Sequence, residues 1–172
     1  KDLKADLMRR DFLMNTLCMD KNGNVIDLLN GKDDIESRVI NTVGEAISRF
    51  MEDPLRILRA IRFYTTLNFD LSEETRLAII QTKSELSRLS YQRKKDELDK
   101  IFCHTNVKRG IDIIRELGLD KDLELDFKHC VYNTDLIGIW ASIGVNGNYP
   151  FTKNEKDLIE KIRLVKDMNN LD

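Results

Sequence analysis

Apolar and polar positions change rhythm along the chain. Residues 16–28, TLCMDKNGNVIDL, hold two short apolar runs on either side of Asn22-Gly23, the dipeptide that favours a tight hairpin turn. Strands are predicted at about 15–20 and 24–28. This is the one strand pair that the pattern supports. A lone two-stranded hairpin is marginal in water, so the segment reads as part of a sheet whose other strands are not in this sequence. After residue 32 the rhythm is helical. Asp33 or Asp34 can cap a helix running to about Thr42, with Gly44 as its stop. A short helix fits 45–51. Asp53-Pro54, a capping acid followed by proline, starts the next, over 53–67. Ser72 opens a helix over 73–83; others follow over 90–103, 106–117 (ending at Gly118), about 127–145 and, from Thr152 as cap, 153–168. The loop 146–151, NGNYPF, is dense in turn residues.

The helix over 53–67, DPLRILRAIRFYTTL, breaks the amphipathic rule. Its apolar residues cover most of the circumference, which predicts burial. Yet Arg56, Arg59 and Arg62 recur every third residue and form one cationic stripe. Unpaired guanidiniums cannot be buried, so they must meet carboxylates or an anionic ligand. Ion pairs with neighbouring Asp and Glu are one outcome; a cradle for a triphosphate, whose oxygens a planar guanidinium matches, is the other. Asp53 is open in the same way, as a helix cap or, through its second oxygen, as a ligand contact.

Composition narrows the function classes. The 172 residues carry 28 Lys plus Arg against 30 Asp plus Glu, and only 2 Pro and 8 Gly, which excludes collagen-like and low-complexity chains. No apolar run approaches the roughly 20 residues needed to span a bilayer. Residues 1–6, KDLKAD, are mostly polar and show no signal peptide. Cys18, Cys103 and Cys130 form no C-x-x-C pair; an odd count fits a reducing cytoplasm, with each thiol expected as a small buried hydrophobe. His104 and His129 have no metal-ligand spacing, and no zinc site is expected. Trp140, set among Ile137, Ile139 and Ile143, reads as core.

Four motifs in order resemble those of bacterial tRNA nucleotidyltransferases, the class II CCA-adding enzymes that are close kin of bacterial poly(A) polymerases. Arg9-Arg10-Asp11-Phe12 with Asn15 is similar to R-R-D-F-T-x-N-A. Asp27-Leu28-Leu29-Asn30-Gly31, with Asp34-Ile35 and Val43-Gly44, resembles D-P-F-x-G…D-L…V-G. Glu52-Asp53-Pro54-Leu55-Arg56 and the residues up to Phe63 resemble the E-D-x-x-R helix. Ser90, Arg93, Glu97, Leu98 and Lys100 resemble S-x-E-R-x-x-x-E-L-x-K. The resemblance covers about residues 2–120. Departures include Leu28 where proline is usual, Asn41 in place of a common arginine, and Gln92 for glutamate.

The resemblance implies a mostly α fold, a multi-helix neck and body array with a short N-terminal β-hairpin left from a truncated nucleotidyltransferase head. The expected units are 1–29 (end of the head), 30–100 (neck) and 101–172 (body). It implies addition of nucleotides from CTP and ATP to a tRNA 3′ end in the cytoplasm, with Mg2+ as cofactor of the complete enzyme. The glycine-rich turn and D-x-D pair that bind the metal in this family are not in the sequence. Asp120-Lys121-Asp122 lacks the preceding strand and is expected as a solvated acidic loop. No catalytic or metal-binding residue is therefore assigned, and this chain by itself is expected to be inactive. The nucleotide-binding residues implied are Arg10, Asp11, Asn15, Asp53, Arg56, Arg59 and Arg62: Asp53 and Arg56 for the base edge, Asp11 for the ribose 2′-hydroxyl, Arg59 and Arg62 for the triphosphate. Poly(A) polymerase of the same superfamily and a non-catalytic helical RNA-binding module are the alternatives.

Overall fold

The computed structural model describes residues 2–169; the outermost residues of the expected 1–29 and 101–172 units lie outside that range. The chain opens with a short helix, α1 (Leu3–Leu7), capped by Asp2, and a 3-10 turn over Leu13–Asn15. The hairpin follows as β1 (Cys18–Met19) and β2 (Val25–Ile26), antiparallel with Cys18 opposite Ile26. It is shorter than predicted and no third strand joins it among the described residues. Met19 and Val25 are exposed on it.

Helix α2 (Gly31–Ser37) ends well before Thr42. Its N-cap position is Asn30, and the carboxylate that satisfies its first amides is that of Asp27, not Asp33 or Asp34: it accepts from Gly31 N at 2.8 Å and Lys32 N at 3.0 Å. Arg38 stops it in a left-handed conformation. Val39–Ile40 then forms β3, parallel to β4 (Asp70–Leu71). β-branched residues with a partner strand prefer that pairing to another helical turn.

The array continues with α3 (Ala46–Glu52), α4 (Leu55–Thr66), α5 (Glu73–Thr82), a 3-10 stretch over Lys83–Arg88, α6 (Tyr91–Phe102), α7 (Val107–Glu116) and α8 (Leu119–Asp122). Asp120-Lys121-Asp122 thus lies in a helical turn rather than a loop. The expected helix over 127–145 is reduced to α9 (Leu136–Ser142), capped by Asp135. Its flanks are drawn out because β5 (Leu125–Asp126) pairs with β6 (Gly144–Val145). Helix α10 (Lys153–Asn169) closes the described chain. The fold is mostly α, but with two strand pairs beyond the hairpin, each two residues long.

One cluster of buried side chains runs from Phe12 to Ile159, across both expected unit boundaries, and the boundary at 100/101 falls within α6. Helix α4 lies at its centre, with Ile57, Leu58, Ala60 and Ile61 fully buried. Trp140 is core, as expected; its Nε1 donates to Asp99 at 2.8 Å. The cysteines correct the sequence expectation: Cys103 is exposed and Cys18 and Cys130 are half-buried. Lys94 and Lys95 are buried, the latter paired with Asp99 and Glu155.

Gly31 fixes the approach of α2 to the 3-10 turn. A Cβ there would sit 2.1 Å from the Leu13 carbonyl oxygen and 2.8 Å from Thr16 Oγ1. Gly31→Ala is expected to cost roughly 1–3 kcal/mol or more, since backbone must move to admit the methyl group. Urea denaturation checks this; an unchanged midpoint would show that the turn and helix can separate freely.

Candidate functional site

Local backbone pairing brings the N-terminal loop to the helical array. Phe12 forms an antiparallel bridge with Thr42, Leu13 N donates to Asn41 O at 2.9 Å, and Val43 N donates to Asp11 O at 3.0 Å. Asp11 is thereby set beside α4. Its Oδ1 accepts from Phe12 N at 2.8 Å and Asn15 Nδ2 at 3.0 Å, and its Oδ2 from Arg59 Nε at 2.5 Å. Burial alone would push the Asp11 carboxyl up. The bonds from Asn15 and Arg59, the Arg59 charge and the Phe12 N–H outweigh it and hold the group below the ordinary aspartate value.

An open cavity of about 550 Å³ lies between that loop and α4. It is lined by Arg10, Asp11, Asn15, Asp53, Arg56, Arg59 and Phe63. Six of the seven residues named from the sequence are therefore brought together, from segments more than 35 residues apart in the chain. Arg62 is not among them. Its Nη1 lies 3.2 Å from Glu97 Oε2 on α6, and its guanidinium covers the Phe63 ring at 4.7 Å.

Helix geometry explains the exchange. At about 100° per residue, Arg59 lies some 60° from Arg56 and Arg62 some 120°, whereas Phe63 returns to within about 20° of Arg56. A three-residue repeat is thus not one stripe over its full length. Its first two arginines face the cavity and its third turns into the α4–α6 seam. Phe63, missed in the sequence, was legible from the same arithmetic. Its ring stands edge-on to Phe12, with centroids 5.8 Å apart, and takes the Arg59 guanidinium at 5.4 Å.

Asp53 does two things at once. Oδ1 accepts from Leu55 N at 3.1 Å, capping α4, and Oδ2 lies 3.4 Å from Arg93 Nη2 on α6. Arg56, one turn on, pairs with Glu52 at 3.2 Å and donates to the Arg49 carbonyl at 3.1 Å. Arg10 Nη1 donates to Asn15 O at 2.8 Å. The cavity offers carboxylate acceptors at two points, three guanidiniums and one aromatic ring. Such a set suits a ligand with a flat polar edge, a hydroxyl group and an anionic tail. Among the described residues no group of three or more His, Cys, Asp or Glu stands together as a cation site.

Comparisons with known proteins agree with the motif order. Residues 1–41 match the family model "Poly A polymerase head domain", and residues 68–125 match "Probable RNA and SrmB- binding site of polymerase A". The CCA-adding enzyme of Bacillus pumilus is 44% identical over 127 residues, covering 70% of this chain and 32% of that protein. That of Geobacillus kaustophilus is 41% identical over 119 residues, covering 69% and 30%. Among solved structures, the Bacillus stearothermophilus CCA-adding enzyme in complex with CTP is 40% identical, with a TM-score of 0.69 over 71% of this chain and 31% of that one. A tRNA nucleotidyltransferase complexed with a primer tRNA and an incoming ATP analog is 28% identical, with a TM-score of 0.66 over 77% and 39%. The chain spans about a third of the length of the curated relatives it matches.

Proposed function

The chain belongs to the family of CCA-adding enzymes and poly(A) polymerases, and from that premise we propose that it is the nucleotide-reading and RNA-carrying part of a CCA-adding tRNA nucleotidyltransferase. The observation that carries this is the single cavity lined by Arg10, Asp11, Asn15, Asp53, Arg56, Arg59 and Phe63.

Cytosine and adenine each present an amino donor beside a ring-nitrogen acceptor; uracil and guanine present the reverse order. A carboxylate accepts and a guanidinium donates. Asp53 and Arg56, one helical turn apart, are therefore assigned to the base edge of C or A. Asp11 Oδ2 keeps a lone pair for a ribose hydroxyl, and the Arg59 and Arg10 guanidiniums are assigned to the phosphates. Phe63 forms an apolar wall beside them. Arg62 is assigned a supporting role through Glu97 rather than a ligand contact. Chemistry that needs a metal is assigned to residues outside this chain. The substrates proposed are CTP, ATP and the tRNA 3′ end, and the compartment is the cytoplasm; no helix of the described residues is long and apolar enough to cross a membrane.

The test is nucleotide addition by the full-length protein on a tRNA lacking its 3′ end. Ordered addition of C, C and A is expected, with UTP and GTP used at least about tenfold less well. Runs of A from ATP alone would favour the poly(A) polymerase reading, which the two family models also support. No incorporation at all would favour a non-catalytic RNA-binding module.

A further inference from the structure

Arg49 on α3 is not one of the cavity residues, yet it joins both sides of the cavity. Its guanidinium is mostly buried, with 13% of the side chain exposed. Nη2 donates to the carbonyls of Arg9 at 2.9 Å and Arg10 at 2.5 Å, about 40 residues away in the chain. Nη1 donates to Glu52 Oε2 at 2.9 Å. That same oxygen lies 3.2 Å from Arg56 Nη1, which also donates to the Arg49 carbonyl at 3.1 Å. Among the described residues, every polar contact of the Arg56 side chain therefore runs to Arg49 itself or to the carboxylate that Arg49 shares. Among the described residues the Arg49 Nε is buried without a partner, which costs stability, so hydrogen-bond satisfaction alone does not account for this pose.

We propose that Arg49 is a positioning residue for base choice: its forked guanidinium clamps the Arg9-Arg10 backbone and, through Glu52, sets the pose of Arg56 at the base edge. The inference rests on the nucleotide reading above. Two like charges share one carboxylate, so the Arg56 guanidinium is held by one edge only and keeps donors for a ligand. A planar fork can hold two carbonyls and a carboxylate together; an ammonium is a point charge and cannot hold all three in that geometry. The residue thus couples the loop bearing Arg10 and Asp11 to the pose of Arg56.

The experiment measures kcat and KM for CTP, ATP, UTP and GTP in the full-length protein carrying Arg49→Gln, Arg49→Lys, Glu52→Gln or Arg56→Ala, with thermal unfolding alongside. Arg49→Gln and Glu52→Gln are expected to raise KM for CTP and ATP and to shrink their advantage over UTP and GTP by about fivefold or more, with kcat changed less. Arg49→Lys is expected to restore part of that ratio. If Arg49→Gln fails to fold, the lysine and Glu52→Gln variants carry the same test. A ratio unchanged in the Arg49 and Glu52 variants but collapsed in Arg56→Ala overturns the positioning role and leaves base reading standing. A ratio unchanged in all four overturns both.

Discussion

Asp53→Ala in the full-length protein is expected to lower kcat/KM for CTP and ATP by ~10-fold or more, while UTP and GTP change less. The Asp53 Oδ2 is the acceptor assigned to the base amino group, and its nearest protein partner, Arg93 Nη2, is 3.4 Å away. Removing one partner of a charged hydrogen bond costs ~1.5–3 kcal/mol, which is the tenfold factor. Capping adds a separate effect, because Oδ1 holds Leu55 N and an uncapped α4 is weaker by about 1 kcal/mol. Asp53→Asn separates the two. Its single oxygen can keep the cap, which leaves an amide donor facing the cavity, mismatched to the amino group of C or A. It is expected to retain the melting temperature and lose the discrimination. Equal loss for all four nucleotides in both variants would reduce Asp53 to a cap.

Asp11→Ala is expected to change both stability and sugar choice. The Asp11 side chain is 9% exposed and ties the N-terminal loop to Arg59, 48 residues away. Its loss leaves the buried Phe12 N–H without its acceptor, at a cost of about 1–3 kcal/mol, or a fall in melting temperature of roughly 2 to 12 °C in a chain of this size. The pH dependence has a definite sign. Because the folded carboxyl titrates below the ordinary value of 3.8, its stabilisation is complete above that value and is lost as pH falls through the folded pKa. The variant is expected to lose that part of the acid-side decline. A melting-temperature drop alone fits a structural partner of Arg59, so the sugar role is decided by kcat/KM for ATP and CTP against dATP and dCTP. Use of the ribonucleotides is expected to fall more, narrowing the gap. An unchanged ribose-to-deoxyribose ratio would leave Asp11 as a tie between loop and helix.

The elements legible in the sequence were those whose signals are local. Asp53-Pro54 opens α4, Ser72 caps α5 through its side chain, and Asn22-Gly23 sits at the hairpin turn, where Asn22 N and Asn24 N donate to the Asp20 carboxylate. Local signals mislead where a distant partner decides. Val39–Ile40 is as apolar as a helix continuation, and only Asp70–Leu71 makes it a strand. The sequence reads as one long helix over about 127–145 because nothing nearby shows that Leu125 and Val145 pair.

The site divides along the same line. Residue types and helical spacing along 53–63 determine by themselves that a carboxylate, two guanidiniums and an aromatic ring share one face of α4, because periodicity is a property of the local backbone. The resemblance carried by the motif order implies that Arg10, Asp11 and Asn15 belong with them, and the structure lines one cavity with all of these side chains. Only the tertiary structure decides which cation goes where. Arg62 and Arg59 look equivalent as letters, but a charge brought out of water must be matched within a few ångströms. Glu97 lies across the α4–α6 seam from Arg62, and Asp11 faces Arg59 from the loop. Arg49 carried no signal in its own neighbourhood, because its partners, the Arg9 and Arg10 carbonyls, are backbone atoms that every residue type possesses and that folding alone brings within reach.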